Sequence, residues 1–347
     1  MLLSILKIKN KTMNIAINGF GRIGRATFKA LLDKSNMNIV AINDLTGTDI
    51  LAHLLKYDSC YGIYGKEISY TKDSLVIDGK KFKVIAEKEP NKLPWKELGV
   101  DIVIESTGRF TKKEDAQLHI EAGAKKVIIS APAKSDDIKN IVLGVNENEF
   151  RKSDQIVSMA SCTTNCLAPV TQVIKDNFGI KKAIMTTTHS YTADQNLVDG
   201  PHKDLRRARG AALNIIPTTT GAAKAVAKTI PSLKGKIDGM ALRVPTPVGS
   251  ICDIVYVTEK KTDEISVNKA LVKAAKSARL KGILETTSEP IVSTDIVGNP
   301  ASSIVDLSLT KVIDGDLLKV VSWYDNEWGY SSRLADLCEY IGKKKLI

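Results

Sequence analysis

Asn14-Ile15-Ala16-Ile17-Asn18-Gly19-Phe20-Gly21-Arg22-Ile23-Gly24 sets a short apolar strand directly before a G-x-G-x-x-G turn. Ala26, Phe28, Ala30, Leu31 and Leu32 then recur at helical spacing, so strand, glycine turn and helix follow one another. In that order the glycines permit a tight turn, let backbone approach a pyrophosphate and allow close helix-to-strand packing, while the helix N-terminus offers N–H groups to phosphate oxygens. A second strand over residues 38–43 ends at Asp44, 20 residues after Gly24, where a carboxylate accepts ribose hydroxyls. A carboxylate at that point repels a 2′-phosphate, which favours NAD over NADP.

Outward from this unit the alternation continues. A helix is expected near residues 49–56, a hairpin about Asp78-Gly79, a strand over 101–105, a helix over 112–122 and a strand over 126–130. Near-continuous apolar strands between helices predict a parallel, doubly wound α/β sheet of Rossmann type. The second half changes character: a helix over 162–178, a β-branched strand over 183–188, then a polar, Arg-rich loop over 190–209. Strands over 304–312 and 317–324 flank Asp314-Gly315, a hairpin signal, and residues 262–280 read as an amphipathic helix. The expectation is an α+β domain with a mostly antiparallel sheet. Leu334, Leu337, Cys338 and Ile341 form a helical stripe expected to pack back on the dinucleotide unit. The boundaries expected are 13–160 for the NAD-binding domain, 161–329 for the second, 330–347 for the returning helix and 1–12 for a short extension.

A chain of 347 residues with 43% hydrophobic and 26% charged residues has the composition of a soluble globular protein of two domains. No apolar run approaches the ~20 residues of a membrane helix, and the first six residues lack the features of a signal peptide. Five cysteines, an odd number, point to a reducing cytoplasm. The net charge of +11 comes from scattered lysines without interleaved aromatics, which suits anionic substrates better than nucleic acid.

Ser161-Cys162-Thr163-Thr164-Asn165-Cys166 carries the chemistry, with His189 in Thr188-His189-Ser190-Tyr191-Thr192. Leu167, Val170, Val173 and Ile174 place Cys162 at a helix N-terminus, with Pro169 early in that helix. There the dipole, free N–H groups and a nearby imidazole are expected to lower the thiol pKa. Cys166 reads as a packed neighbour and Cys60, Cys252 and Cys338 as small apolar groups. The C-x3-C spacing lacks a second ligand pair, so no metal is expected.

Thr218-Thr219-Thr220-Gly221-Ala222-Ala223-Lys224 puts hydroxyls and a glycine before an alanine-rich helix, an arrangement for holding an oxyanion. Arg207 and Arg243 supply guanidinium forks nearby, and the apolar flanks of Arg243 imply a bound anion or a buried acid partner.

Together Asn18 to Arg25, Ser161 to Cys166, Thr188 to Thr192, Pro217 to Ala223 and Trp323 to Tyr330 closely resemble phosphorylating glyceraldehyde-3-phosphate dehydrogenases, over nearly the whole chain from Met13. The resemblance implies oxidation of glyceraldehyde 3-phosphate to 1,3-bisphosphoglycerate with NAD and inorganic phosphate, by a cytoplasmic homotetramer. It makes Cys162 the nucleophile and His189 the base. Gly19, Gly21, Arg22, Ile23, Gly24, Asp44, Lys88 and Ser130 would then serve NAD, with Asn326 on the nicotinamide carboxamide. Thr192 and Arg243 would cradle the substrate's C3 phosphate, and Ser161, Thr163, Thr220, Gly221 and Arg207 the attacking phosphate. The enzymatic rivals are an erythrose-4-phosphate dehydrogenase and an NADP-preferring form, and a nucleic-acid or surface-adhesion protein is the non-enzymatic one. The intact Ser190 to Gln195 and Thr219 to Gly221 segments weigh against the first, Asp44 and Pro201 against the second.

Overall fold

The computed structural model describes residues 12–347. The extension expected over 1–12 lies outside the described residues apart from Thr12.

Met13–Asn18 is the pivot of a nine-stranded sheet. It pairs in parallel with Met37–Asn43 on one side and with Ile102–Glu105 on the other. Later strands step outward from there, through Lys80–Ile85 on the first side and through Lys126–Ile129 and Ile156–Ser158 on the second. Strand order therefore reverses beside the glycine turn, and a ligand crevice forms at the carboxyl ends of strands at such a switch point. Ile15, Ile17, Ile102, Ile104 and Ile128 are fully enclosed, as expected of a sheet covered on both faces. The expected hairpin is present: Ser74–Ile77 runs antiparallel to Lys80–Ile85, with Asp78 at φ 49° and Gly79 at φ 76°, a pair that matches the twist of the strands.

Among the described residues seven α-helices accompany the sheets. The first, α1 (Arg22–Leu32), leaves the glycine turn. The others are α2 (Thr48–Lys56), α3 (Lys113–Glu121), α4 (Cys162–Phe178), α5 (Ala222–Thr229), α6 (Glu264–Ala275) and α7 (Trp328–Lys343). Helix α7 packs on α1, and its stripe Leu334, Leu337, Cys338 and Ile341 is buried in the core of the nine-stranded sheet.

The second sheet has eight strands on a mixed plan, mostly antiparallel. Lys182–Ser190 runs antiparallel to Ser250–Val257 but parallel to Ile237–Val244, so His189 lies level with Arg243. Lys182–Ser190 and Ile237–Val244 can pair in parallel because the long segment between them, which carries α5, crosses over. Two elements differ from the sequence reading. The strand expected over 304–312 breaks into Ser303–Asp306 and Lys311–Ile313, because the Asp306 carboxylate accepts from Ser308 N at 3.2 Å and starts a 3-10 turn. The helix expected over 262–280 is confined to α6, with Asp263 as its N-cap, accepting from Ser266 N at 2.7 Å. Pro169 falls in the second turn of α4 rather than the first, and its missing N–H removes the bond to the Asn165 carbonyl.

Candidate active site

Two residues after the strand Ile156–Ser158, Ala160 is a left-handed, non-glycine residue at φ 55°. That conformation is uncommon for a residue with a Cβ and persists only where its surroundings enforce it. Here Ser158 Oγ accepts from Ala160 N at 2.9 Å and Tyr330 Oη donates to the Ala160 carbonyl at 3.0 Å. The chain then turns into Ser161, which caps α4 by accepting from Thr164 N at 3.0 Å. Cys162 is thus the first residue of the helix, where free N–H groups and the dipole favour negative charge.

His189 reaches the same point from the end of its strand. Its Nε2 lies 3.4 Å from Cys162 Sγ, and its Nδ1 lies 2.7 Å from the Ser190 carbonyl. The Ser190 carbonyl favours the proton on Nδ1, which leaves Nε2 an acceptor aimed at sulfur, whereas Arg243 Nη1 beside the same nitrogen can only donate and competes for it. Burial, reinforced by the Arg243 guanidinium whose Nη1 is 2.8 Å from Nδ1, pushes the imidazole down to about 3, so it stays neutral. The thiol departs from the sequence expectation. Burial is the largest influence and pushes Cys162 up, while Arg243 and hydrogen bonding with Thr163 pull it down. At rest, therefore, thiol and imidazole are both held toward their neutral forms.

A cavity of about 860 Å³ surrounds this pair. Its wall carries Arg22, Ile23 and Ser130 on the first-sheet side, and Ser161, Thr163, Thr192, Arg207, Thr220, Gly221, Arg243 and Asn326 on the other. A second cavity, of about 750 Å³, shares Ser106 with it and holds Gly19, Gly21, Asp44 and Lys88. Of the residues singled out from sequence, only Gly24 lines neither; a Cβ there would meet the Gly19 carbonyl oxygen at 2.1 Å, so its place is in packing α1 against the turn. A larger hollow of about 1000 Å³ beside α5 holds none of them.

The two joined cavities fit a dinucleotide. Gly19 sits at φ 92° with the Thr107 backbone 2.7 Å from where a Cβ would be, which bars any side chain from the turn. At Gly21 a Cβ would find nothing within 4 Å, so its backbone is open to a ligand at the N-terminus of α1. The Asp44 carboxylate is aimed by two backbone donors, Phe20 N at 2.7 Å and Thr46 N at 2.9 Å, with acceptor capacity to spare for ribose hydroxyls. Asn326 Oδ1 accepts from Gly249 N at 3.1 Å and from the Ser190 and Ser250 hydroxyls, both at 2.9 Å. A backbone N–H can only donate, so the amide orientation is fixed and Nδ2 is left as a donor on a residue that lines the cavity of Cys162.

The residues expected from sequence to bind anions differ in how far they are already engaged. Among the described residues Arg243 pairs with no carboxylate, and its Nε is buried without a partner, which suits it to an incoming anion. Arg207 is already engaged by Asp194 at 2.6 Å and Asp204 at 3.4 Å. Thr163 Oγ1 lies 2.9 Å from Tyr324 Oη, and Thr220 Oγ1 accepts from Ala222 N at 3.2 Å. Sequence reasoning missed Tyr324, Tyr330 and Glu327, although all three lie in the Trp323 to Tyr330 motif. It also took Cys60 for a packed apolar residue, yet Cys60 is half-buried and lines the cavity of Cys162.

Residues 13–113 match the glyceraldehyde 3-phosphate dehydrogenase NAD binding domain, and residues 161–326 match the C-terminal domain of the same family. The chain is 56% identical over 335 residues to glyceraldehyde-3-phosphate dehydrogenase of Streptomyces coelicolor, covering 96% of this chain and 99% of that one. The chain belongs to the glyceraldehyde 3-phosphate dehydrogenase family. The Geobacillus stearothermophilus member is 57% identical and glyceraldehyde-3-phosphate dehydrogenase 1 of Bacillus subtilis 54%, with the same coverage. As a glyceraldehyde 3-phosphate dehydrogenase family member the protein is an oxidoreductase whose cofactor is NAD and whose substrates are small molecules. The crevice at the strand switch point, with Asp44 at its rim, is where this family membership and the geometry meet.

Proposed function

We propose that the protein oxidises glyceraldehyde 3-phosphate to 1,3-bisphosphoglycerate, with NAD and inorganic phosphate, through a thioester on Cys162. The observation that carries this is the 3.4 Å approach of Cys162 Sγ to His189 Nε2 between the cofactor crevice and a cluster of anion donors. Relatives named for glyceraldehyde 3-phosphate favour it over the erythrose 4-phosphate reading.

Arg243 and Thr192 hold the substrate's phosphate, which sets the aldehyde carbon against sulfur. His189 Nε2 takes the thiol proton as the S–C bond forms, and the aldehyde oxygen becomes the hydroxyl of a hemithioacetal after that proton is returned. Donors at the head of α4 and His189 steady the oxyanion, each worth about 2.7–4 kcal/mol in comparable sites. Bound NAD supplies the acceptor for the hydride lost from the former aldehyde carbon. His189 Nε2 removes the hydroxyl proton in the same stage, leaving an acyl thioester on Cys162. Ser161, Thr163, Thr220, Gly221 and Arg207 then hold inorganic phosphate, whose oxygen attacks the thioester carbonyl. The C–S bond breaks, the acyl phosphate leaves and Cys162 regains its proton.

In this reading residues 13–160 with α7 bind NAD, with Gly19, Gly21, Arg22, Ile23, Asp44, Lys88, Ser130 and Asn326 as contacts, and residues 161–329 carry the chemistry. The enzyme works as a homotetramer in the cytoplasm. Support for assembly comes from Leu197, Val198, Leu205, Leu213 and Ile215, apolar side chains exposed along the loop after His189, and from Ile184 and Met240 on the open face of the second sheet. The test is NADH formation by the purified chain. Rapid reduction that requires phosphate supports the proposal; phosphate-independent turnover of erythrose 4-phosphate, or a preference for NADP, would contradict it.

A further inference from the structure

Arg22 opens α1 directly after the glycine turn, and its side chain is taken up by two carboxylates. Its Nε donates to both oxygens of Glu327, at 2.6 and 2.7 Å, and its Nη2 lies 2.6 Å from Oε2. The other edge of the guanidinium meets Asp58, at 3.2 and 3.3 Å. With two carboxylates on it, this side chain is spent as a phosphate ligand; only the Arg22 main chain remains for that purpose. Glu327 is the residue next to Asn326.

We propose that the Arg22–Glu327 ion pair positions Asn326, making the pyrophosphate turn and the carboxamide-binding amide one rigid unit. This rests on the reading of Asn326 as the cofactor's carboxamide partner. Arg22 is then a positioning residue for the nicotinamide end as well as a main-chain contact at the phosphate end.

Arg22 is 37% exposed, but its two partners are enclosed, with the side chains of Asp58 and Glu327 only 8% and 13% exposed. Removing the guanidinium would leave two enclosed carboxylates facing each other. A second brace runs beside the first. Asp58 Oδ1 accepts from Cys60 N and Tyr61 N, which aims Tyr61 Oη at both oxygens of Asp325, at 2.9 and 3.1 Å. Asp325 in turn accepts from Glu327 N, Trp328 N and Gly298 N, and the Tyr61 ring packs at a tilt against that of Trp328, with centroids 5.2 Å apart. Asn326 thus sits between a residue braced by Tyr61 and a residue braced by Arg22. From the opposite side Gly249, Ser190 and Ser250 fix its Oδ1. A ligand spanning both ends meets contacts already in register, which spares the cost of ordering them.

The test compares two ligands by calorimetry on the full chain: NAD, and ADP-ribose, which keeps the pyrophosphate but lacks nicotinamide. Glu327→Gln should weaken NAD on the order of tenfold while leaving ADP-ribose within about twofold. On an Asn326→Ala background the Glu327→Gln loss for NAD should vanish. Tyr61→Phe, which removes only the hydroxyl brace, should shift NAD in the same direction and serves if Glu327→Gln does not fold. Equal losses for both ligands, or additive losses with Asn326→Ala, would overturn the proposal. A chain that binds NAD with this pattern but does not oxidise glyceraldehyde 3-phosphate would overturn the function and leave the strut standing; a wild-type chain that bound neither ligand would overturn both.

Discussion

Cys162 Sγ and His189 Nε2 lie 3.4 Å apart although 27 residues separate them in the chain. The approach is set by two element ends: Cys162 begins α4, and His189 is the penultimate residue of its strand. Both side chains line a cavity whose wall is shared between the first-sheet side and the second domain.

Cys162→Ala should abolish NAD reduction while leaving NAD affinity within about threefold, since in the proposed mechanism the thiol supplies the covalent step and the glycine turn the phosphate contacts. Calorimetric binding of NAD by the inactive variant checks it. Substantial residual turnover would mean another nucleophile.

His189→Asn should lower kcat by about 10²–10⁴, with little change in KM, because the lost group acts on protons rather than on substrate binding. The imidazole is held down to about 3, so wild-type activity should show no inflection from it between pH 5 and 8, and the rate should climb toward alkaline pH as the burial-raised Cys162 thiol ionises. The same group affects stability. Its folded pKa lies below the ordinary value of 6.5, so the unfolded chain binds more protons between those limits, and stability should fall as pH drops from about 6.5 to about 3. Denaturation of His189→Asn should be less acid-sensitive than wild type over that window.

Asp44→Asn should raise KM for NAD on the order of tenfold and narrow the preference over NADP, as the charged acceptor of the ribose hydroxyls is lost. The amide keeps the shape of the carboxylate, so the fold should be retained. Initial rates with both cofactors decide it.

Tyr324→Phe removes the hydroxyl that lies 2.9 Å from both Thr163 Oγ1 and Thr187 Oγ1. Two buried hydroxyls lose a partner, which should cost about 1–3 kcal/mol in chemical denaturation. Freed from Tyr324, Thr163 should hold phosphate less well, raising KM for phosphate more than for the aldehyde.

Much of this was legible because the signals are local. The glycine turn, the spacing to Asp44 and the apolar positions of α4 and α7 each lie within one or two elements, and each is found where the pattern put it. The thiol and the imidazole could be named as partners, but the direction of the Cys162 pKa could not be read. It depends on how deeply strands and helices distant in sequence enclose the sulfur, and there burial outweighs the helix end. The break at Asp306 comes from a side chain competing for the backbone, and the parallel pairing of Lys182–Ser190 with Ile237–Val244 from a crossover that period-2 patterning does not encode. Glu327 and Tyr324 were visible as letters in a motif, yet their work depends on Arg22 and Thr163, 305 and 161 residues away.

The central claim is a thioester on Cys162 that waits for phosphate, and it is tested most directly by mixing the enzyme, NAD and glyceraldehyde 3-phosphate without phosphate, then quenching and weighing the protein and its peptides. The account predicts a burst of NADH of about one per active site, one acyl group on the Cys162 peptide, and discharge of that group when phosphate is added. Continued turnover without phosphate, or a burst with no acyl group on Cys162, would contradict it.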